Sequence, residues 1–237
     1  MKTDVPPGKK ADLDRLRQEY AGRKTRKNLA TLYSPFYQPY LFFSQQKTRV
    51  LVHALRKLGV ESLEGKKILE IGCGSGGVLQ EYQTLGAVPG NLFGIDLLFD
   101  RLIEAHDRCH RAGITNADGQ NLPFPTNSFD IVLQYTAFSS ILDAQIRQNM
   151  AAEMLRVLNQ DGFIVWYDFW WNPTNTQTKG IRPAEIKELF PGCRIDLHKT
   201  TLAPPIARRI VPLSWGLAFF MESLGLLNTH YLVTIQK

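Results

Sequence analysis

A glycine-rich stretch near residue 70 constrains the fold of this chain more than any other feature. The apolar segment Ile68 to Ile71 is followed by glycines at 72, 74, 76 and 77 and then by a second apolar segment. This order predicts a buried strand, a tight turn and the start of a helix, because glycine lets the backbone turn sharply and lie close to a ligand. The spacing also fits a dinucleotide-binding fingerprint, so the glycines alone leave the ligand open.

Two acidic residues narrow the choice of ligand. Glu70 lies two residues before the first glycine. Its carboxylate there would repel a pyrophosphate and attract a ligand with an amino group and a sulfonium, such as S-adenosylmethionine (SAM). Asp96 ends a second apolar stretch, 20 residues after Gly76, at a spacing that places a carboxylate beside the ribose hydroxyls of a nucleoside. Proteins that bind dinucleotides and proteins that bind SAM both use such an acid. Asp96 therefore predicts a ligand with a nucleoside but does not distinguish a dinucleotide from SAM.

Length and composition limit the number of domains and the kinds of site that the chain can contain. A chain of 237 residues accommodates one α/β domain with appendages. Its three cysteines, Cys73, Cys109 and Cys193, are far apart and join no cluster with histidine, so we expect neither a metal site nor a disulfide framework. A reducing cytoplasm suits this cysteine usage. The first ten residues are polar and lack an apolar core, so we expect no secretory signal.

The middle of the chain alternates between strand-like and helix-like segments. The predicted strands are 66–71, 91–96, 113–117, 129–134 and 162–169, and the predicted helices are 76–85, 99–111 and 143–158. Such alternation implies parallel strands with right-handed crossovers. Asp161-Gly162 indicates a turn before the fifth strand. Two further strand-like segments, 192–198 and 229–236, follow near the end of the chain.

The stretch 117–133 carries a family resemblance. It reads Ala-Asp-Gly-Gln-Asn-Leu-Pro-Phe-Pro-Thr-Asn-Ser-Phe-Asp-Ile-Val-Leu, and an acid followed by Leu-Pro-Phe and Ser-Phe-Asp before the fourth strand resembles the class I SAM-dependent methyltransferases. With the two earlier motifs, the resemblance covers residues 66–170. It implies a Rossmann-like α/β fold with a seven-stranded, mostly parallel sheet and an antiparallel last strand. It also implies SAM as the cofactor and S-adenosylhomocysteine as the product. Another Rossmann-type nucleotide binder is the alternative.

The resemblance also implies cofactor roles at matching positions. Glu70, directly or through water, and the carbonyl of Gln134 would meet the methionyl amine, and Asp96 would accept both ribose hydroxyls. Leu97 would pack on adenine and Asp118 would accept from its amino group, although Asp118 and Gln134 also suit ordinary loop structure. The full predicted set is Glu70, Gly72, Cys73, Gly74, Gly76, Asp96, Leu97, Asp118, Gly119, Gln120 and Gln134.

The residues that act on the acceptor are less determined. Many methyltransferases of this group have a His-His pair after the fourth strand, whereas this chain has Ser139-Ser140 at the matching position. The remaining candidates for a base are Asp168, Tyr135 and Tyr37. Asp168 lies at the end of a strand, where this fold binds ligands, and a carboxylate in a dry pocket has a raised pKa. It equally suits a plain capping role. The five scattered histidines are interpreted as surface or helix-face residues.

Two appendages flank the predicted SAM-binding domain, 59–237. Residues 1–58 combine a basic arm, with nine Lys or Arg against four Asp or Glu in 1–28, and an aromatic cap; we expect helices at 11–28 and 41–58. The arm suits a solvated tail or contact with an anionic surface. Within the insert 201–228, between the last two strands, residues 210–227 are mostly apolar, but Pro212 and Glu222 make them a poor membrane span. The insert suits a helix covering the acceptor pocket, an interfacial membrane helix or an oligomer contact.

These observations favour a SAM-dependent methyltransferase that acts on a small molecule or a lipid- or glycan-linked precursor, with a hydroxyl as the first choice of acceptor. We expect a cytoplasmic protein with peripheral membrane contact. The acceptor pocket should lie between the aromatic segment 33–43, residues 167–171 and the insert. One rival is an RNA or protein methyltransferase that uses the basic arm, although no RNA-module signature is present. The other is a non-catalytic SAM-binding regulatory module.

Overall fold

One twisted sheet organises the chain. The structure is a computed structural model that describes Arg15, Gln18, Gly22 and residues 29–172 and 177–237. Its strands are β1 Ile68–Ile71, β2 Leu92–Asp96, β3 Gly113–Asn116, β4 Phe129–Tyr135, β5 Leu158–Phe169, β6 Arg194–Leu202 and β7 Asn228–Gln236. These seven described strands lie in the order β3-β2-β1-β4-β5-β7-β6. The first five pair in parallel, and β7 is antiparallel to both β5 and β6. The predicted Rossmann-like sheet is confirmed.

Helices cover both faces of the sheet. They are α1 Leu29–Leu32, α2 Gln38–Lys57, α3 Gly77–Thr84, α4 Phe99–Arg108, α5 Ala144–Val157, α6 Pro183–Leu189, α7 Pro204–Ile210 and α8 Trp215–Ser223. Side chains of α2, α3 and α4 pack on one face of the sheet, and those of α5 and α6 pack on the other. Because successive strand residues point to opposite faces, Tyr167 joins the first layer and Trp166 the second.

Three local predictions need correction. Helix α2 begins at Gln38, before the predicted Leu41, because Pro39 sits in its first turn, where the missing N–H costs nothing. The predicted turn at Asp161-Gly162 is part of β5, which starts at Leu158; its register against β4 then shifts, so that Phe129 pairs with Leu158 and Ile131 with Phe163. Strand β6 continues to Leu202, so the insert shortens to 203–227.

The antiparallel β7 determines where the insert lies. Since β5 and β6 are both antiparallel to β7, they are parallel to each other. The end of β6 and the start of β7 therefore meet at the same edge as the carboxyl ends of β1, β4 and β5. In this fold that edge binds ligands. The predicted helix 11–28 lies largely outside the described residues. The three residues within it that the structure describes, Arg15, Gln18 and Gly22, are helical.

Candidate active site

The turn after β1 presents bare backbone to the crevice. Gly72, Gly74 and Gly76 have φ values of 74°, 53° and 76°, a region that side-chain-bearing residues rarely adopt. A β-carbon at Gly72 would lie 2.9 Å from Cβ of Ala137, and one at Gly74 would overlap the guanidinium of Arg101. The glycines thus let two neighbouring elements approach the turn closely. Their predicted contact with the cofactor stays a prediction.

Glu70 lies directly beneath this turn. Its side chain is 2% exposed, and within the described part of the chain its Oε2 has no hydrogen-bond partner. Burial raises the pKa of Glu70 to about 8, and the nearby carboxylates of Glu81 and Asp96 add to this effect. A buried carboxyl oxygen without a donor is costly. A cationic amine would supply both the missing hydrogen bond and the missing charge, so the site fits the methionyl end of SAM.

Asp96 links the glycine turn to the start of α4. Its Oδ2 accepts a hydrogen bond from the Gly74 N–H at 2.8 Å, and its Oδ1 accepts one from the Leu98 N–H at 2.9 Å. Each carboxylate oxygen has a second lone pair, so both can also accept a ribose hydroxyl. Leu97, next to Asp96, is 40% exposed at the end of β2.

The predicted adenine-side residues form a local turn. Oδ1 of Asp118 accepts hydrogen bonds from the Gln120 N–H at 3.0 Å and from Gln120 Nε2 at 3.3 Å. This is an Asx-type turn, which fixes the backbone between the two residues. A β-carbon on the buried Gly119 would lie 2.9 Å from Cε of Met150. The role of Asp118 toward adenine stays a prediction.

Gln134 and Asp168 build one buried network on the α5 side of the sheet. Oε1 of Gln134 accepts from the Ala137 N–H at 2.9 Å, while its Nε2 donates to Oδ2 of Asp168 at 3.0 Å. That same Oδ2 accepts from the Ser139 N–H at 3.0 Å, and Oδ1 accepts from the Phe169 N–H at 2.8 Å. The two side chains therefore fix the turn after β4, where Ser139-Ser140 stands.

The protonation of Asp168 suits this positioning role. Its side chain is 1% exposed, and burial raises its pKa to about 6 against the lowering effect of the hydrogen bonds from Ser139, Gln134 and Phe169. The carboxylate is thus mostly ionised near pH 7, but both of its oxygens already accept backbone or amide hydrogen bonds. The geometry favours a group that positions the turn over one that removes a proton, and the predicted base stays untested.

A second cluster lies on the α2 side of the sheet. The rings of Tyr135 and Tyr167 are 5.5 Å apart, and His230 stacks on Tyr167 at 4.8 Å with an angle of 11°. The hydroxyl of Tyr135 shares a hydrogen bond with that of Tyr82 at 3.2 Å. Nζ of Lys47 lies 5.5 and 5.9 Å from the centroids of the two tyrosine rings, within cation–π range.

Sequence reasoning missed two members of this cluster, Lys47 and His230, whereas Tyr167 lies in the segment 167–171 that was predicted to border the acceptor. The interpretation of His230 as a surface histidine is wrong, because it lies in β7 and is 5% exposed. Burial, and then the nearby ammonium of Lys47, lower its pKa to about 3. Only the positions of Tyr167 and His230 in their strands could have indicated this contact. Tyr167 is near the end of β5 and His230 is near the start of β7, and the antiparallel pairing of the two strands brings these ends together.

The insert contacts the aromatic segment 33–43, and the end of β6 contacts this cluster. The rings of Phe42 and Trp215 are 5.3 Å apart, and the hydroxyls of Tyr167 and Thr201 share a hydrogen bond at 2.7 Å. Oε1 of Glu222 accepts hydrogen bonds from Thr200 Oγ1 at 3.1 Å and from the Thr201 N–H at 3.0 Å, and so anchors α8 to the end of β6. The structure thus brings together the three segments predicted to enclose the acceptor.

Two predicted residues lie at the margins of this arrangement. Tyr37 immediately precedes α2 with an extended backbone, and its N–H donates to the Ser34 carbonyl at 2.9 Å. Its catalytic role stays a prediction. From the basic arm, Arg15 donates to the carbonyls of Ser140 at 2.5 Å and Gln177 at 3.1 Å. This arginine therefore contacts the turn after β4, whereas the rest of the arm falls largely outside the described residues.

Comparison with known proteins identifies the centre of the chain. Residues 69–166 match the family model of the methyltransferase domain. The chain has a methyltransferase domain. This domain and the fold around it confirm the resemblance to class I SAM-dependent methyltransferases and imply SAM as the cofactor.

Individual relatives are similar over the same part of the chain. A phthiotriol/phenolphthiotriol dimycocerosates methyltransferase of Mycobacterium ulcerans is 33% identical over 121 residues, which are 48% of this chain and 40% of that protein. A fatty-acid O-methyltransferase of Mycolicibacterium smegmatis is 33% identical over 114 residues, 45% of this chain and 38% of the relative. The chain therefore spans less than half the length of these two curated relatives.

A solved structure shows the same architecture. A SAM-dependent methyltransferase from Archaeoglobus fulgidus superposes with a TM-score of 0.55 over 84% of this chain and 99% of its own. Its sequence identity is 14%, so this likeness bears on the fold alone.

Proposed function

We propose that this protein transfers the methyl group of SAM to a hydroxyl on a small-molecule or lipid-like acceptor. The observation that carries the proposal is the unpartnered Oε2 of buried Glu70 beneath the glycine turn. An orphan carboxyl oxygen there suits the amine of SAM. The aromatic cluster of Tyr135 and Tyr167 lies on the same face of the sheet and suits an apolar acceptor.

SAM, when bound, supplies a methyl carbon already activated by the sulfonium, so the protein mainly has to position the reactants. Glu70 would hold the amine, and Asp96 would hold the ribose while it keeps the glycine turn in place through the Gly74 N–H. Gln134 and Asp168 fix the turn after β4. The insert, packed on α2, would exclude water from the acceptor side.

The acceptor class follows from the chemistry of the pocket wall. Two aromatic pairs lie in the region where we place the acceptor: Tyr135 packs against Tyr167, and Phe42 packs against Trp215. The fatty-acid O-methyltransferase to which the chain is similar acts, by its name, on an oxygen of a fatty acid. Both observations support an oxygen acceptor on an apolar molecule. A glycan-linked precursor is the second version of the same proposal.

Binding and transfer can be tested separately. Calorimetry should detect SAM binding to the wild-type chain, and Glu70→Gln should weaken it by about tenfold or more, because a charge-assisted hydrogen bond is lost. The exposed Glu61 offers a matched control, and Glu61→Gln should bind SAM like the wild type. Absence of SAM binding by the folded wild-type protein would overturn the proposal.

Transfer is followed with methyl-labelled SAM and a panel of hydroxylated acceptors, including free fatty acids and glycan-linked lipids. Label in a methyl ether or ester supports the proposal. Label in RNA or protein from an extract would instead support the rival methyltransferase that uses the basic arm. SAM binding without label transfer to any class would support the regulatory module.

A further inference from the structure

The outer side of the insert carries an apolar surface. Between positions 213 and 226, six large apolar side chains are 39–82% exposed: Leu213, Leu217, Phe219, Phe220, Leu224 and Leu226. We call these six residues the insert face. Such residues are normally scattered singly on a protein surface. Their concentration within fourteen positions of the sequence therefore calls for a ligand or partner of its own.

The geometry of α8 separates an inner side from this outer side. Ala218 and Glu222, four residues apart, are buried. Leu217, Phe220 and Leu224, at spacings of three and four residues, share the exposed side. The inner side already has its partners, because Trp215 packs on Phe42 and Glu222 binds the end of β6. The apolar residues of the outer side are thus additional to those that hold the insert on the domain.

The exposed charged residues of the insert are arginines. Arg208 and Arg209 are exposed at the end of α7, and the exposed Arg49 lies with its guanidinium 4.8 Å from the centroid of the Phe219 ring. The acidic residue within 203–227, Glu222, is buried. An apolar surface bordered by exposed arginines is complementary to an anionic lipid bilayer, whose headgroups attract cations while its acyl region accepts apolar side chains.

We propose that the insert face docks the protein on an anionic membrane surface. Among the described residues no helix is both long and apolar enough to cross a bilayer, and the insert would lie in the interface instead. The inner side of the insert packs on Phe42 of α2, so docking through the insert face would hold the catalytic domain close to lipid-like acceptors in the bilayer. This docking rests on the proposed function for its purpose, but its test measures binding to membranes and is independent of methyl transfer.

The experiment measures co-sedimentation of the full chain with vesicles. One set is phosphatidylcholine alone, and in the other about a quarter of the lipid is phosphatidylglycerol. The double variant Leu217→Ser/Phe220→Ser should bind the anionic vesicles about tenfold more weakly than the wild type or worse. The control Phe99→Ser/Ile103→Ser changes two exposed apolar residues of α4 and should bind like the wild type. Circular dichroism confirms that both variants are folded.

The arginines give a second readout. Arg208→Glu/Arg209→Glu should reduce the preference for anionic over neutral vesicles while the insert face remains intact. Equal vesicle binding by the wild type and Leu217→Ser/Phe220→Ser would overturn the proposal. So would self-association of the wild type that this double variant abolishes, because the face would then be an interface between copies of the chain. If docking fails while soluble acceptors are methylated, the proposed function stands without it.

Discussion

Gln134 Nε2 donates a hydrogen bond of 3.0 Å to Asp168 Oδ2 across the adjacent strands β4 and β5, and both side chains also bind the turn that follows β4. The pair joins the ends of two strands to the loop at the crevice. The carboxylate that the sequence proposes as a base also accepts hydrogen bonds from the backbone N–H groups of Ser139 and Phe169. Experiments can therefore distinguish the two possible roles of Asp168, positioning the turn and removing a proton.

Asp168→Asn should lower turnover modestly and leave the pH profile unchanged if Asp168 only positions the turn, because an asparagine oxygen still accepts from the Ser139 N–H. Asp168→Ala should lower it further, since it removes the acceptor for Gln134 and Ser139. A base would behave otherwise: both variants would lose most activity, and the limb near pH 6 would disappear from the pH–rate profile. Single-turnover rates beside SAM titrations separate the two cases.

Asp96→Ala should weaken SAM binding by tenfold or more, because two hydrogen bonds to ribose would be lost at roughly 1.5–3 kcal/mol each in gross terms. It should also loosen the glycine turn, which loses its acceptor for the Gly74 N–H. The exposed Asp100, in the first turn of α4, provides the control Asp100→Ala. Calorimetry that finds unchanged affinity in folded Asp96→Ala would contradict the ribose assignment.

SAM affinity should rise with pH in the wild type. Glu70 has a pKa of about 8 in the ligand-free protein, so at neutral pH it is mostly protonated, whereas the amine of SAM is best held by the ionised form. Binding therefore releases a proton, and affinity should increase as pH rises toward about 8. Glu70→Gln should lose most of this dependence. Calorimetry in buffers of different ionisation enthalpy counts the released proton, and a count of zero would argue against the contact.

The same group affects stability with a definite sign. Between its ordinary pKa of 4.5 and its folded value of about 8, the folded protein keeps the proton of Glu70 and the unfolded chain has released it. The free energy of unfolding should therefore fall as pH rises through this window. Thermal melts of ligand-free protein should show a smaller decline in Glu70→Gln than in the wild type, and parallel curves would exclude the effect.

The anchor of the insert can be tested with Glu222. Glu222→Ala should reduce the free energy of unfolding by about 1–3 kcal/mol, because the buried Thr200 hydroxyl and Thr201 N–H lose their acceptor. Glu222→Gln keeps an acceptor oxygen and removes a buried charge, so it should cost much less. The exposed Ser223 is the control position, and Ser223→Ala should change little. Denaturant titration measures all three, and an equal loss in Glu222→Ala and Ser223→Ala would contradict the anchor.

The sequence predicted those parts of the molecule that depend on local chemistry. The glycine turn, the acid that ends β2 and the alternation of strands and helices are each determined within a few neighbouring residues. The early start of β5 was missed because Asp161-Gly162 has the composition of a turn, whereas the strand already begins at Leu158, which pairs with Phe129 of β4. The start of α2 was missed because Pro39 disfavours helix everywhere except the first turn.

The aromatic cluster depended on long-range pairing. Lys47 is on α2, Tyr167 on β5 and His230 on β7, and no local pattern connects positions so far apart. Once β7 is placed antiparallel between β5 and β6, its first residues lie beside the last residues of β5, and the cluster follows from the register. Sequence periodicity predicts which face of a strand is buried, but the partner of a buried polar group comes from topology.

The position of the insert between β6 and β7 has a consequence for how such a protein can change. Both strands keep their register whatever joins them, and the entropy of closing a loop grows only slowly with its length. Residues 203–227 can therefore be lengthened, shortened or exchanged while the turn that holds Glu70 and Asp96 stays as it is. If the insert borders the acceptor as proposed, natural selection or an engineer could alter the choice of acceptor by replacing this one segment and leaving the cofactor-binding turn unchanged.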